Sequence, residues 1–99
     1  MKKIINGKKY DTDTAKAIGF DTNCASDFHY WYESLYIKKT GEYFLYGKGG
    51  PMSRYCEYIG DCQTSGEKII PMTVEEAKEW AEKHLTADEY EEIFGEVEE

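Results

Sequence analysis

Cys24, Cys56 and Cys62 are the side chains of this sequence best suited to chemistry. A thiolate is both a nucleophile and a soft metal ligand. Three cysteines are too few, and too odd in number, for a disulfide scaffold, and there is no CxxC pair. If all three met, protonation or a bridging cation would have to relieve their repulsion, and zinc favours four such ligands in a tetrahedron. His29 has the best donor chemistry for the fourth place, with Asp21, Asp27 and Asp61 as alternatives. The cofactor expected on this basis is a structural zinc on Cys24, Cys56, Cys62 and His29, tying down a long loop in a small domain. A Cys24–Cys56 redox pair competes with it, as do three unrelated cysteines acting as small hydrophobes.

Other catalytic arrangements are hard to find. His84 lies at the edge of a helical apolar stripe, where the titratable neighbours are glutamates on a solvated face, so a packed or surface role is expected. Ser34, Ser53 and Ser65 have no base at a recognisable spacing. Gly47-Lys48-Gly49-Gly50 lacks the spacing and the following Lys-Ser/Thr of a phosphate-binding loop. The many acids form no isolated convergent pair of the kind acid–base chemistry needs. The expectation is a protein that is not an enzyme.

The elements that would position these residues follow from pattern. Lys2–Ile5 and Lys8–Asp11 flank Asn6-Gly7, a strong hairpin signal. Residues 11–19 read as a two-turn helix with Asp11, Thr12 or Asp13 as N-cap and Gly19 as stop. Seven aromatic residues then crowd between His29 and Tyr46 around Lys39-Thr40-Gly41. With Gly41 in a left-handed bulge position, Lys38 faces Glu42 and paired residue numbers sum to 80. One sheet face then receives Trp31, Glu33, Leu35, Ile37, Tyr43 and Leu45. The other receives Tyr30, Tyr32, Ser34, Tyr36, Phe44 and Tyr46. The same sum relates Cys24 to Cys56, which is the geometric basis for a zinc cluster, provided that Gly49, Gly50 and Pro51 do not break the ladder first.

Residues 52–66 read as an irregular loop and 67–72 as a strand whose Pro71 marks an edge or an end. Thr73 with Glu76, and Thr86 with Glu89, are capping boxes that open two helices. Val74, Ala77, Ala81 and Leu85 form the apolar stripe of the first, and Tyr90, Ile93 and Phe94 that of the second, before Gly95 ends it. The fold class expected is α+β: a small antiparallel sheet, made of an N-terminal hairpin, a long central hairpin and one further strand, packed on two C-terminal helices. The helices match the Leu35 face. The tyrosine face is left for the N-terminal segment, the 52–66 loop or another molecule, a homodimer partner included, and tyrosine suits such a half-wet surface.

The chain has 99 residues, 40% hydrophobic and 32% charged, which fits one globular domain spanning 1–99. No apolar run is long enough for a membrane-spanning helix and no secretory core follows the N-terminal lysines, so a cytoplasmic location is expected. The net charge of −8 is unevenly placed. Residues 1–50 hold eight lysines against six acids, and 51–74 hold two bases against three acids. Residues 75–99 hold eleven acids against Lys78 and Lys83. That field repels nucleic acid directly and draws cationic partners.

Three stretches, MKKIINGKKYDTDTAKAIG, ESLYIKKTGEYFLYGKGGPMSRY and GEKIIPMTVEEAKEWAEKHLTADEYEEIFGEVEE, resemble a group of small proteins carried by phages and mobile elements of Gram-positive bacteria. Inhibitors of type II-A CRISPR–Cas9, the anti-CRISPR proteins, have been recognised among small acidic phage proteins of this kind. The resemblance implies a phage-encoded protein that binds Cas9 in the bacterial host cell and hinders target-DNA binding or cleavage without catalysis. It carries over no catalytic residue and no metal site. Because Cas9 has basic nucleic-acid channels, the expected contacts are Glu75, Glu76, Glu79 and Glu82 on the first helix and Glu89, Glu91 and Glu92 on the second. Tyr30, Tyr32 and Tyr36 are the expected anchors. The alternative is a mobile-element accessory protein that binds another basic host or phage protein.

Overall fold

The computed structural model describes residues 1–25 and 27–98. It contains β1 (Lys2–Ile5), β2 (Lys8–Asp11), β3 (Lys16–Thr22), β4 (Trp31–Ile37), β5 (Tyr43–Gly49), β6 (Glu57–Ile59), β7 (Cys62–Thr64), β8 (Gly66–Met72), α1 (Val74–His84) and α2 (Ala87–Phe94). A four-stranded antiparallel sheet in the order β3-β4-β5-β8 is joined by two separate hairpins, β1-β2 and β6-β7. The class is α+β, with the helices at the C-terminal end of the chain.

Local chemistry explains the central hairpin. Gly41 takes φ +93°, a conformation that side-chain-bearing residues rarely adopt, and its N–H donates to the Lys38 carbonyl at 2.9 Å. Lys38 N–H donates to Glu42 O at 2.8 Å, and the ladder runs from Ile37↔Tyr43 to Trp31↔Gly49. This is the register that the turn and the alternation predict. It sorts the side chains onto the two expected faces, because a slip of one residue would turn every side chain over.

The helices cover the Leu35 face. Leu35, Leu45, Ala77, Trp80 and Ala81 form its buried core, with Ile18, Ile70, Met72, Leu85, Tyr90 and Phe94 packed around them. Trp80, rather than the exposed Val74, completes the stripe of α1, and Ile93 is half-buried. Both capping boxes form: Glu76 N–H donates to Thr73 Oγ1 and Glu89 N–H to Thr86 Oγ1, each at 3.2 Å. On the opposite face Tyr10, Phe44 and Ile69 form a second, smaller core, closed by Met1, Ile5, Ala15, Tyr36 and Tyr46.

Two expectations need correction. Residues 11–19 are not a helix. Asp11 holds a turn, its carboxylate accepting from Asp13 N–H at 2.9 Å and its carbonyl from Ala15 N–H at 3.0 Å, and β3 follows. Pairing with β4 outweighs the local helical preference of Ala-Lys-Ala-Ile. Gly19 therefore stops nothing; it makes room for Leu85, whose Cδ1 would lie 2.8 Å from an added Cβ. Residues 52–66 are not all irregular either: β6 and β7 pair through Glu57↔Thr64 and Ile59↔Cys62 around Gly60 at φ +61°. Pro71 lies on β8 at the sheet edge, where its missing N–H disrupts no ladder.

Candidate functional site

The densest polar constellation centres on Glu33, which is only 3% exposed. The register places it on the helix-covered face between Trp31 and Leu35. A buried carboxylate is costly unless it is paired and hydrogen-bonded, and four side chains meet that demand. From α1, Trp80 Nε1 donates to Oε1 at 2.9 Å. From the segment after β5, the Tyr55 hydroxyl donates to Oε2 and the Arg54 guanidinium lies 2.5 Å from the same oxygen. His84 at the end of α1 brings Nε2 to 3.8 Å from Oε1, while its Nδ1 sits 2.8 Å from Asp21 Oδ2 on β3.

Each partner is itself held. Tyr55 is 1% exposed, and its ring lies against Gly47, where any Cβ would overlap it. His84 stacks on Trp80 with centroids 4.8 Å apart and meets Trp31 edge-on at 6.0 Å. Burial pushes the Tyr55 phenol above its ordinary value of 10.0, and its hydrogen bond to Glu33 adds to the rise. A cavity of about 200 Å³ lined by Trp31, Glu33, Arg54 and His84 borders the cluster. Both Glu33 oxygens are occupied by donors, so the arrangement locks β3, β4, α1 and the segment after β5 together.

Sequence reasoning missed this centre. The titratable neighbours of His84 are Asp21 and Glu33, not helix glutamates. The available signal was the register itself, which set a lone acid among Trp31, Leu35 and Ile37 on a face otherwise apolar.

The expected zinc ligands are dispersed in character. Cys24 is exposed at φ +56°, Cys56 is half-buried, Cys62 is exposed, and all three are free thiols. Among the described residues no three of His, Cys, Asp and Glu gather as a metal site. The ladder explains why. Gly50 N–H donates to Tyr30 O and Met52 N–H to Phe28 O, so the 80-sum pairing reaches 28 and 52. There Ser53 N–H turns back to Gly50 O and Cys56 N–H to Ser53 O, carrying Cys56 out of register with Cys24. His29 stays exposed beside Asp27, 3.7 Å away.

The other expected site residues divide. Glu75, Glu76, Glu79, Glu82, Glu89 and Glu92 are exposed and Glu91 is half-buried. Among the described residues no acid of either helix lies within an ion pair; the paired acids are Asp21, Asp27, Glu33 and Glu42. Glu99 lies outside the described residues. Tyr36 is drawn into packing, stacked on Phe44 at 5.1 Å under the N-terminal hairpin. Tyr32 is half-buried, stacked by exposed Phe20 at 6.0 Å with Lys48 Nζ 5.6 Å from its centroid. Tyr30 is half-buried and, with Lys48, Glu57 and Glu67, lines an open cavity of about 400 Å³.

No family model, curated protein or solved structure matches the chain. No helix among the described residues is long and apolar enough to cross a membrane.

Proposed function

We propose that this chain works without catalysis, by binding the basic nucleic-acid-handling surface of Cas9 and so hindering its access to target DNA, as an anti-CRISPR protein of phage or mobile-element origin. The observation that carries the proposal is the uncompensated acid on α1 and α2: Glu75, Glu76, Glu79, Glu82, Glu89 and Glu92 are exposed, and among the described residues no cation lies within 4.0 Å of them. Acids on a rigid helical layer imitate the charge of a nucleic-acid backbone. They steer association with a basic channel, which raises on-rates by roughly 10 to 1,000-fold at low salt. The capping boxes hold both helices at their starts, so the charge array is fixed before contact.

The test is target-DNA binding and cleavage by Cas9 across concentrations of this protein and of salt. Stoichiometric inhibition is expected, with association slowed at least about tenfold on going from low salt to about 0.5 M. Replacing Glu75, Glu79 and Glu82 by Lys, which leaves the Thr73–Glu76 capping box in place, should abolish inhibition without unfolding the chain. Undiminished cleavage with the wild-type chain in excess at low salt refutes the proposal. A pull-down of some other basic protein, with Cas9 unaffected, would select an accessory role in its place.

A further inference from the structure

Four of the large apolar side chains left in water belong to one end of the molecule. Phe28 (66% exposed) and Met52 (56%) face each other where the β4–β5 ladder ends, Met52 N–H donating to Phe28 O at 2.8 Å. Tyr58 (68%) and Ile59 (72%) stand on the β6–β7 hairpin, which springs from the same end of the sheet, beyond Gly49↔Gly66. The two strands of this hairpin pack chiefly on each other, and a two-stranded hairpin with neither face covered is marginal in water. Its cross-strand pairs put Tyr58 with Gln63 on one side and Ile59 with Cys62 on the other, so each face carries an exposed apolar group.

The root of the hairpin is fixed. Tyr55, two residues before β6, is the ring locked over Gly47 and bonded to Glu33. Gly66, just after β7, runs so close beneath that an added Cβ would overlap the Tyr55 carbonyl and lie 2.6 Å from Glu57 Cγ. The Glu33 cluster thus acts as the footing of a finger. A finger set at a fixed angle loses little freedom on insertion. Its charge has one sign: residues 55–67 contain Glu57, Asp61 and Glu67 and no base, and Arg54 before them is committed to Glu33.

We infer that the β6–β7 hairpin, flanked by Phe28 and Met52, is the anchor of the complex and enters an apolar cleft rimmed by basic groups on the protein that the helix acids approach. This rests on the proposed function and adds the contact that sets residence time: the acids steer, and Tyr58 and Ile59 hold.

The experiment compares the full chain with its Tyr58→Ala/Ile59→Ala variant for binding to guide-loaded Cas9. Neither side chain packs on a core cluster, so the thermal midpoint should stay within a few degrees. Dissociation should quicken and affinity fall by at least about tenfold, as when hot-spot residues are truncated, with the salt dependence of association unchanged. Equal affinity of variant and wild type overturns the inference and leaves the partner standing. Absence of binding by the wild-type chain overturns the partner and the inference together. A midpoint lowered well beyond a few degrees would show that the hairpin belongs to the core and would also overturn it.

Discussion

Tyr55→Phe isolates one bond of the Glu33 cluster. Phe keeps the ring that fills the hollow over Gly47 and removes only the hydroxyl that donates to Glu33 and accepts from Arg54 Nη2 at 2.7 Å. Hydrogen bonds to charged groups contribute about 1.5–3 kcal/mol, so the variant should unfold about 2 kcal/mol more easily at neutral pH. For a domain of this size that lowers the midpoint by roughly 10 °C. The pH dependence gives a second, independent reading. Burial and then the Glu33 bond raise the folded-state phenol pKa above 10.0. Below pH 10 both states hold the proton and the contribution is complete. Above pH 10 the unfolded chain releases it first, so stability falls as pH rises, by at most about 1.4 kcal/mol per pH unit for one such group. Tyr46, raised by burial and by its 2.5 Å bond to Glu67, adds a second slope of the same sign. Urea unfolding followed by tryptophan fluorescence from pH 7 to 11 measures both effects. The variant should show the lower plateau and lose one share of the alkaline slope. A plateau within about 0.5 kcal/mol of wild type, the scatter of neutral surface changes, together with an unaltered slope, would refute the account of the cluster.

Two further outcomes follow from local geometry. Gly47→Ala forces a methyl group into the Tyr55 ring; overpacking of this kind costs about 1–3 kcal/mol, and chemical denaturation should show a loss in that range with faster proteolysis between 50 and 57. Thr73→Ala removes the acceptor of the Glu76 N–H and one half of a capping box, so a fall of about 1 kcal/mol is expected by the same measurement, with the helix acids and their partner binding intact.

How much could be read from the chain differs by element. The central hairpin was legible because Thr40-Gly41 dictates a turn geometry and the alternation from Trp31 to Tyr46 admits one register. The two helices were legible because Thr73/Glu76 and Thr86/Glu89 carry their starts in three-residue spacings. β3 was not, since Asp11-Thr12-Asp13-Thr14-Ala15 offers helix caps to a local reading. The strand exists only through a β4 partner some fifteen residues further on. The zinc expectation carried the ladder on to Cys24 and Cys56, beyond the Phe28–Met52 contact where the turn at Ser53 ends it. The Glu33 cluster unites residues 21, 33, 54, 55, 80 and 84 from four parts of the chain. No periodicity spans such separations, and only the odd placement of one acid pointed there.

Phe44 and Leu45 are consecutive, have no exposed surface, and face opposite ways, each into its own apolar cluster. One strand therefore serves as a party wall between two rooms that do not communicate. Lifting the β1–β2 flap would wet Tyr10, Phe44 and Ile69 while Leu35, Leu45 and Trp80 stayed dry beneath the helices. The molecule thus has a rung of partial opening below complete unfolding. Amide protons of β1 and β2 should trade with solvent deuterium well before those of β4 and β5, and that first rung is reached without disturbing the acidic helices.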